Sequence, residues 1–201
     1  RIRSYFSANL IRPLLIAAFP VTLTSIFGSV MLNTDLIVLG WFQTAANLGY
    51  YAAGQKIIQL LYILPATLAV SLFPLLVRLV RGNDQVRVAR AAETGVTMLL
   101  LIAFPIAVGG IVLAAPLLTF LYGTEYLPAL LSFQILAASV PFAFPGVLYG
   151  NIIIAYDQQR KLAWYTGGAA IGNAILDVAL IPILGIAGCA VATFLMQVVY
   201  N

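Results

Sequence analysis

The sequence predicts an all-α protein, a polytopic bundle of transmembrane helices, on three observations. The 201-residue chain is 63% hydrophobic and only 8% charged, and its mean hydropathy is +1.05. Soluble domains usually contain about 25% charged residues, so a water-soluble packing could not hide this much apolar surface. The apolar runs are also continuous, whereas strands of a membrane barrel alternate apolar and polar positions.

Polar breaks divide the chain into six apolar segments. A bilayer-spanning helix needs roughly 20 apolar residues. The predicted spans lie at about 13–42, 49–77, 92–121, 127–155, 161–183 and 186–200. The chain begins "RIRSYF", without an initiator Met, and ends within an apolar segment. We therefore expect residues 1–201 to be a single transmembrane lobe cut from a longer protein.

The basic residues alternate between the predicted loops. The start of the chain and the loops at 78–90 and 157–161 hold Arg1, Arg3, Arg12, Arg78, Arg81, Arg87, Arg90, Arg160 and Lys161. The other breaks, "QTAANL", "YGTEYLP" and "ILG", hold no Lys or Arg. The positive-inside rule then predicts that the residue 1 end and both Arg-rich loops are cytoplasmic. The run "RLVRGNDQVRVAR" is accordingly a topology determinant beside anionic lipid, and we expect no nucleic-acid partner.

One cation, Lys56, is left inside a predicted span, as is Asp35 within "LNTDLIVLGWF". If the hairpin turns near residues 45–46, Asp35 lies about ten residues before the turn and Lys56 about ten after it. At a rise of about 1.5 Å per residue, antiparallel helices place both at similar depth. Ionisable residues in spans often pair or line a water-filled cavity. We therefore expect the two to neutralise each other, directly or through water, either as a lock on the hairpin or as the lining of a hydrated cavity.

A polar stripe on the second span favours the cavity. At about 100° per residue, a single face of roughly 140° contains Tyr51, Gln55, Lys56, Gln59 and Tyr62. A pair that only locks two helices together would not require such a stripe. In a cavity, Lys56 could also contact an anionic substrate.

A second acid, Asp177, lies in the fifth predicted span, on the same face as Thr166 and Asn173. It could bind a coupling cation near Asn173, be protonated, or lie at the outer membrane interface. Interface placement is the simplest interpretation, because Pro182 and the "ILG" break follow within a few residues.

The chain lacks the residues that most enzymes use. It has no His, a single Cys and no Walker-type GxxxxGK[ST] motif. Cys189 is interpreted as a small packing residue. We expect no catalytic residues, no cofactor and no bound metal. A membrane-embedded glycosyl-transfer enzyme would need a large polar outer loop or clustered acids, and the predicted loops are short.

Three stretches resemble polysaccharide-type flippases. The run "FPVTLTSIFGSVMLNTDLIVLGWFQTAANLGYYAAGQKI" is similar to their seventh and eighth spans, with an aspartate before "LIVLG" and a cation in "LGYYAAGQKI". The runs "LYGTEYLPALLSFQILA" and "NAILDVALIPILGIAGCAVAT" resemble later hairpins of the same family. These flippases belong to the multidrug/oligosaccharidyl-lipid/polysaccharide exporter superfamily, which includes the MATE transporters.

The resemblance implies that the chain is the second six-span lobe, about spans 7 to 12, of a two-lobed MATE-like transporter. The implied activity is flipping of undecaprenyl-diphosphate-linked oligosaccharide across the bacterial inner (plasma) membrane. The product would enter O-antigen, capsule or exopolysaccharide assembly, with polysaccharide assembly proteins as partners. By position, Lys56 is the candidate cation that attracts the diphosphate, together with Asp35, Gln55, Gln59 and Tyr62.

Two other transporters remain open. A MATE-type cation-coupled drug exporter would need several buried carboxylates in one lobe. A lipid II flippase usually has a more cationic cavity than one Lys supplies. Flippases of the resembling family often carry Asn where Asp177 stands, so the resemblance assigns Asp177 no role.

Overall fold

The computed structural model describes residues 11–200, apart from a set of side chains in the first helix, and the basic start (Arg1, Arg3 and the Arg12 side chain) lies outside the described residues. Eight α-helices form residues 11–200: α1 (Ile11–Phe42), α2 (Ala45–Leu61), α3 (Ile63–Arg81), α4 (Gln85–Val112), α5 (Ala114–Tyr122), α6 (Leu130–Ala155), α7 (Gln159–Leu184) and α8 (Ile186–Tyr200). A short 3₁₀ helix, Thr124–Ala129, precedes α6. No strand occurs in this part of the chain, and the all-α class is confirmed.

Four helical stretches of the described chain are long and apolar enough to cross a membrane: Ala45–Arg81, Gln85–Val112, Thr124–Ala155 and Gln159–Leu184. They match the second to fifth predicted spans in order. The first predicted span corresponds to α1, and the sixth to α8, an apolar helix of only 15 residues. The total of six spans therefore stays a prediction.

Two of the predicted spans are interrupted by a helix break just before a proline. The breaks fall at Tyr62, between α2 and α3, and at Leu113, between α4 and α5. Pro65 and Pro116 each occupy the third residue of the new helix. A proline in the first turn costs no helical hydrogen bond, because the first N–H groups of a helix have no partner within it.

Helix α6 lies at the centre of the bundle. It contacts α2, α3, α4, α5, α7 and α8, and buries large side chains along its length, among them Phe133, Phe144 and Leu148. Helix α1 packs chiefly against α7, and α8 packs against both α6 and α7. Helices α1, α2, α7 and α8 therefore meet beside α6, and this is where the buried acids lie.

The turn between α7 and α8 depends on two glycines. Gly185 has φ 60° and ψ −137°, a region that residues with a Cβ rarely adopt. At Gly188 a Cβ would lie 2.4 Å from the backbone oxygen of Leu180. This close approach fixes the position of the start of α8 against the end of α7. Cys189, the next residue, lies beside Asp177.

The two Arg-rich loops share one end of the bundle. The Tyr156 hydroxyl, at the end of α6, donates a hydrogen bond to the side-chain oxygen of Gln85, at the start of α4. This bond joins the connection between α3 and α4 to the connection between α6 and α7.

The Arg-free connections share the opposite end. The rings of Tyr50 and Tyr126 lie 5.5 Å apart, which joins the start of α2 to the 3₁₀ helix. The Gln43 amide lies within 4.0 Å of the Cβ position of Gly185, next to the α7–α8 turn. The grouping agrees with the charge pattern, and the assignment of the Arg-rich end to the cytoplasm stays a prediction.

We predict that Thr44→Cys in the full-length protein reacts with a membrane-impermeant maleimide added outside cells. Asn83→Cys should react only after the membrane is opened. Both positions are exposed, and Cys189 is fully buried, so this chain contributes little background labelling. The reverse pattern would overturn the predicted orientation.

Candidate ion and substrate site

Two acids from distant parts of the chain lie side by side in the bundle. Asp35 of α1 and Asp177 of α7 are 2% and 0% exposed. A carboxylate oxygen of each and the Cys189 sulfur all lie within 4.8 Å of one another. Two charged carboxylates this close repel each other strongly when they are shielded from water. The pair is therefore stable only with a proton or a cation between the two groups.

Hydrogen bonds from the described residues reach only one oxygen of the pair. The Tyr51 hydroxyl donates to Asp35 Oδ2 at 2.7 Å, and the Thr193 hydroxyl donates to the same atom at 2.8 Å. Within residues 11–200, Asp35 Oδ1 and both carboxylate oxygens of Asp177 have no hydrogen-bond partner, nor has the Asn173 amide nitrogen. Buried polar atoms are nearly always paired in proteins, so these atoms mark a place where a ligand, a proton or water binds.

A polar cavity of about 50 Å³ adjoins Asp35. It is large enough for one or a few waters or a partly hydrated ion, since a water occupies roughly 30 Å³ of liquid. One wall carries a hydrogen bond of 3.2 Å from the Gln197 amide nitrogen to the Tyr62 hydroxyl. The lining residues are Asp35, Gln55, Ile58, Gln59, Tyr62, Leu136, Ser139, Asn173, Thr193 and Gln197.

Most residues that the sequence proposed for the site lie around this cavity. The structure brings together Asp35, Gln55, Gln59, Tyr62 and Asn173. Asp177 is buried against Asp35, and its depth relative to the membrane interface stays a prediction. Helix α7 ends at Leu184, close to the predicted end of the fifth span at residue 183.

Lys56 is the exception. Its side chain is exposed, and the described residues contain no ion pair between Lys56 and Asp35. The direct form of the expected pair is therefore wrong, because the hairpin turns at residues 43–44, about two residues earlier than predicted. Neutralisation through water stays a prediction. The residue opposite Asp35 is Tyr51. Lys56, five positions later, points about 140° away from Tyr51 around the helix.

Three residues of α8 belong to the site and were not predicted to do so: Cys189, Thr193 and Gln197. They recur at every fourth position, so they share one face of the helix. A row of polar side chains in an otherwise apolar segment is the signal that could have identified them. Cys189 is buried, as expected of a packing residue, but it lies against two acids.

A comparison with known families decides the membership. Residues 1–131 match the family described as "Polysaccharide biosynthesis protein". The chain belongs to this family.

Two curated relatives come from Haloferax volcanii. One is named a "probable low-salt glycan biosynthesis flippase" and is 26% identical over 161 residues, which are 80% of this chain and 34% of the relative. The other is named a "probable flippase" and is 29% identical over 170 residues, with the same coverage of 80% and 34%. The chain thus spans about a third of the length of these relatives.

The fold is similar to solved transporters of the MOP superfamily. One is an outward-facing multidrug resistance MATE family transporter, with a TM-score of 0.79 and 16% identity. Another is a MOP superfamily transporter from Pyrococcus furiosus, with a TM-score of 0.77 and 17% identity. In both cases the match covers 91% of this chain and 41% of the other chain. At these identities the likeness shows the fold alone, a MATE-like helical bundle.

The neighbouring tyrosines of α2 offer a matched test of the Asp35 hydrogen bonds. We predict that Tyr51→Phe lowers the apparent Tm of the purified full-length protein in detergent, because removing one donor to a buried carboxylate costs about 1–3 kcal/mol. Tyr50→Phe should change the Tm little, since the Tyr50 ring contact with Tyr126 is kept. Equal shifts for the two variants would contradict a special role for the Tyr51 hydroxyl.

Proposed function

We propose that the complete protein is a flippase that moves a lipid-linked oligosaccharide between membrane leaflets, and that this chain supplies its ion-coupling site. Membership of the polysaccharide biosynthesis family, the names of the two relatives and the MATE-like fold support the transport activity. The buried Asp35–Asp177 pair, with its unpaired oxygens beside a polar cavity, is the observation that carries the coupling site.

The pair has the chemistry that ion coupling requires. Ionisable residues deep in a membrane bundle are costly, and they commonly mark ion or proton pathways. No basic side chain of the described chain forms an ion pair with either acid. A proton or a monovalent cation would supply the missing positive charge.

Occupancy of this site would act on the packing of α1 against α7. Each of these helices carries one of the acids, so removal of the ion leaves two negative charges across their contact. The arrangement favoured with the ion bound therefore differs from that favoured without it. A ligand that stabilises one of two arrangements is what alternating access needs.

The more specific substrate proposed is an undecaprenyl-diphosphate-linked oligosaccharide in a bacterial inner membrane, for O-antigen, capsule or exopolysaccharide assembly. This proposal rests on the resemblance of the sequence. Lys56 is the proposed contact for the diphosphate. It is exposed on α2, on the helix that also carries the cavity residues Gln55 and Gln59, so its ammonium group is available to an anion outside the packed core of this chain.

A cation-coupled drug exporter is the second candidate, and the two buried acids in one bundle favour it. A lipid II flippase is less well supported, because the cavity residues include no basic side chain. A glycosyl-transfer enzyme is also less well supported, because the relatives are named flippases.

The acid pair can be tested in proteoliposomes that contain the full-length protein, with a sodium or a pH gradient imposed separately. Asp177→Asn and Asp35→Asn should each reduce gradient-driven flipping of a fluorescent lipid-linked oligosaccharide by about tenfold or more. Asp157→Asn is the matched control. Asp157 is exposed with φ 56°, a conformation that Asn also adopts readily.

The gradient that drives the wild-type protein identifies the coupling ion. Unchanged gradient dependence in Asp177→Asn would reject the coupling site. Export of cationic drugs without movement of the lipid-linked sugar would support the drug exporter instead.

The role of Lys56 has its own control in Lys161, the other lysine of the sequence, which is also exposed. We predict that Lys56→Ala lowers flipping by about tenfold, as expected for loss of a charge-assisted contact with a phosphate. Lys56→Arg should keep most activity, and Lys161→Ala nearly all of it. Membrane insertion should be unchanged in all three variants.

Adding Asp35→Ala to Lys56→Ala tests whether the two residues form a structural pair. The double variant should stay inactive, because Asp35 is also an acid of the proposed coupling site and is held by Tyr51 and Thr193 rather than by Lys56. Recovery of activity would reveal that the two residues neutralise each other after all, and full activity of Lys56→Ala alone would reject the substrate role.

A further inference from the structure

A second polar feature lies at the Arg-rich end of the bundle and shares no residue with the acid cavity. The end of α3 and the start of α4 enclose a cleft of about 520 Å³. Apolar and charged side chains line it together. The lining residues are Leu75, Arg78, Leu79, Gly82, Asp84, Arg87, Arg90 and Ala91.

The charges in this cleft do not cancel. Three of its residues are arginines and one is an acid, Asp84. Asp84 is engaged by Arg87, whose Nε lies 3.3 Å from Asp84 Oδ2, and it caps α4 by accepting a hydrogen bond from the Arg87 backbone N–H. Arg78 and Arg90 form no ion pair with any acid in the described part of the chain. The cleft therefore carries two uncompensated positive charges.

The connection between the helices holds these arginines in place. Asn83 adopts φ 54°, a left-handed conformation that Asn tolerates better than most residues. The Asp84 backbone N–H then donates back to the Leu79 carbonyl at 3.1 Å. This tight turn sets the last turn of α3 beside the first turns of α4, so Arg78 and Arg90 line the same cleft from two helices.

We propose that this cleft binds the phosphate headgroup of an anionic membrane lipid. Guanidinium groups bind phosphate through paired, charge-assisted hydrogen bonds. Leu75 and Leu79 provide apolar surface for the chain segments next to the headgroup, a contact that a free phosphate ion could not use. Basic pockets between transmembrane helices at their ends are suited to lipid headgroups.

Adjacent arginines of α3 provide a matched test. Arg78 lines the cleft, whereas Arg81, in the same helical turn, does not. Both are exposed and carry the same charge. A diffuse attraction between the Arg-rich end and anionic lipid would treat Arg78→Gln and Arg81→Gln alike, whereas a defined site would distinguish them.

Binding can be measured by native mass spectrometry of the full-length protein in detergent, titrated with phosphatidylglycerol or with phosphatidylcholine. The wild-type protein should retain phosphatidylglycerol preferentially. Arg78→Gln should weaken its binding by about tenfold, the loss expected for a hydrogen bond to a charged group. Arg81→Gln should weaken it by less than about twofold, because it leaves the hydrogen bonds in the cleft intact. Arg90→Gln, on the opposite wall, should weaken phosphatidylglycerol binding to a similar extent. It replaces Arg78→Gln in the test if that variant does not fold.

Two outcomes would overturn the proposal. Equal effects of Arg78→Gln and Arg81→Gln would leave only diffuse attraction. Complete displacement of phosphatidylglycerol by millimolar inorganic phosphate would identify a site for the free ion rather than for a lipid. Because the acid cavity shares no residue with the cleft, either result is independent of the proposed ion coupling.

Discussion

A carboxylate buried in an apolar bundle has to be neutralised, and the interior of this protein is arranged around two of them. An uncompensated charge in such a place costs several kcal/mol, roughly the whole net stability of a domain. Hydrogen bonds from the hydroxyls of Tyr51 and Thr193 offset part of this cost for Asp35. The carboxylate oxygens of Asp177 have no hydrogen-bond partner among the residues described. The negative charge that remains still has to be neutralised by a proton or a cation, and this makes the pair suited to a mobile ion.

The site exists only when the bundle is assembled. Thr193 and the Asp35 carboxylate that it contacts are 158 positions apart in the chain. Their meeting depends on the packing of α1 against α7 and on the turn at Gly185 and Gly188 that lays α8 beside both. A side chain at Gly188 would collide with the Leu180 carbonyl, and α8 would then have to move away from the acids. Backbone geometry thus supports a site whose chemistry lies entirely in side chains.

Much of the fold could be predicted from hydropathy, because a membrane-spanning helix needs about 20 predominantly apolar residues in a row, and such runs are easily recognised in a sequence. The importance of Asp35 and the polar face of α2 could also be predicted, since polar residues are rare in such segments. The residue that contacts Asp35 could not be predicted. A shift of two residues in the turn moves the facing position on the next helix by about four residues, and the five positions from Lys56 to Tyr51 correspond to a rotation of about 140°. Tyr51 therefore replaced Lys56 as the partner.

The contact between Asp177 and Asp35 could not be predicted for a different reason. It joins α7 to α1, which are far apart in the chain. The contribution of α8 required knowledge of which helix faces which. Periodicity assigns residues to the same face of a helix, but it does not identify the neighbouring helix.

The break at Tyr62 is a joint between α2 and α3 within one long helical stretch. Helix α2 carries Tyr51 and Gln55 to the acids, and α3 ends at the arginine cleft. The hydroxyl of Tyr62 is itself held by Gln197 of α8, so the joint is fixed to the far side of the bundle. The joint therefore separates the helix that reaches the acids from the helix that ends at the arginine cleft, and α8 holds it in place.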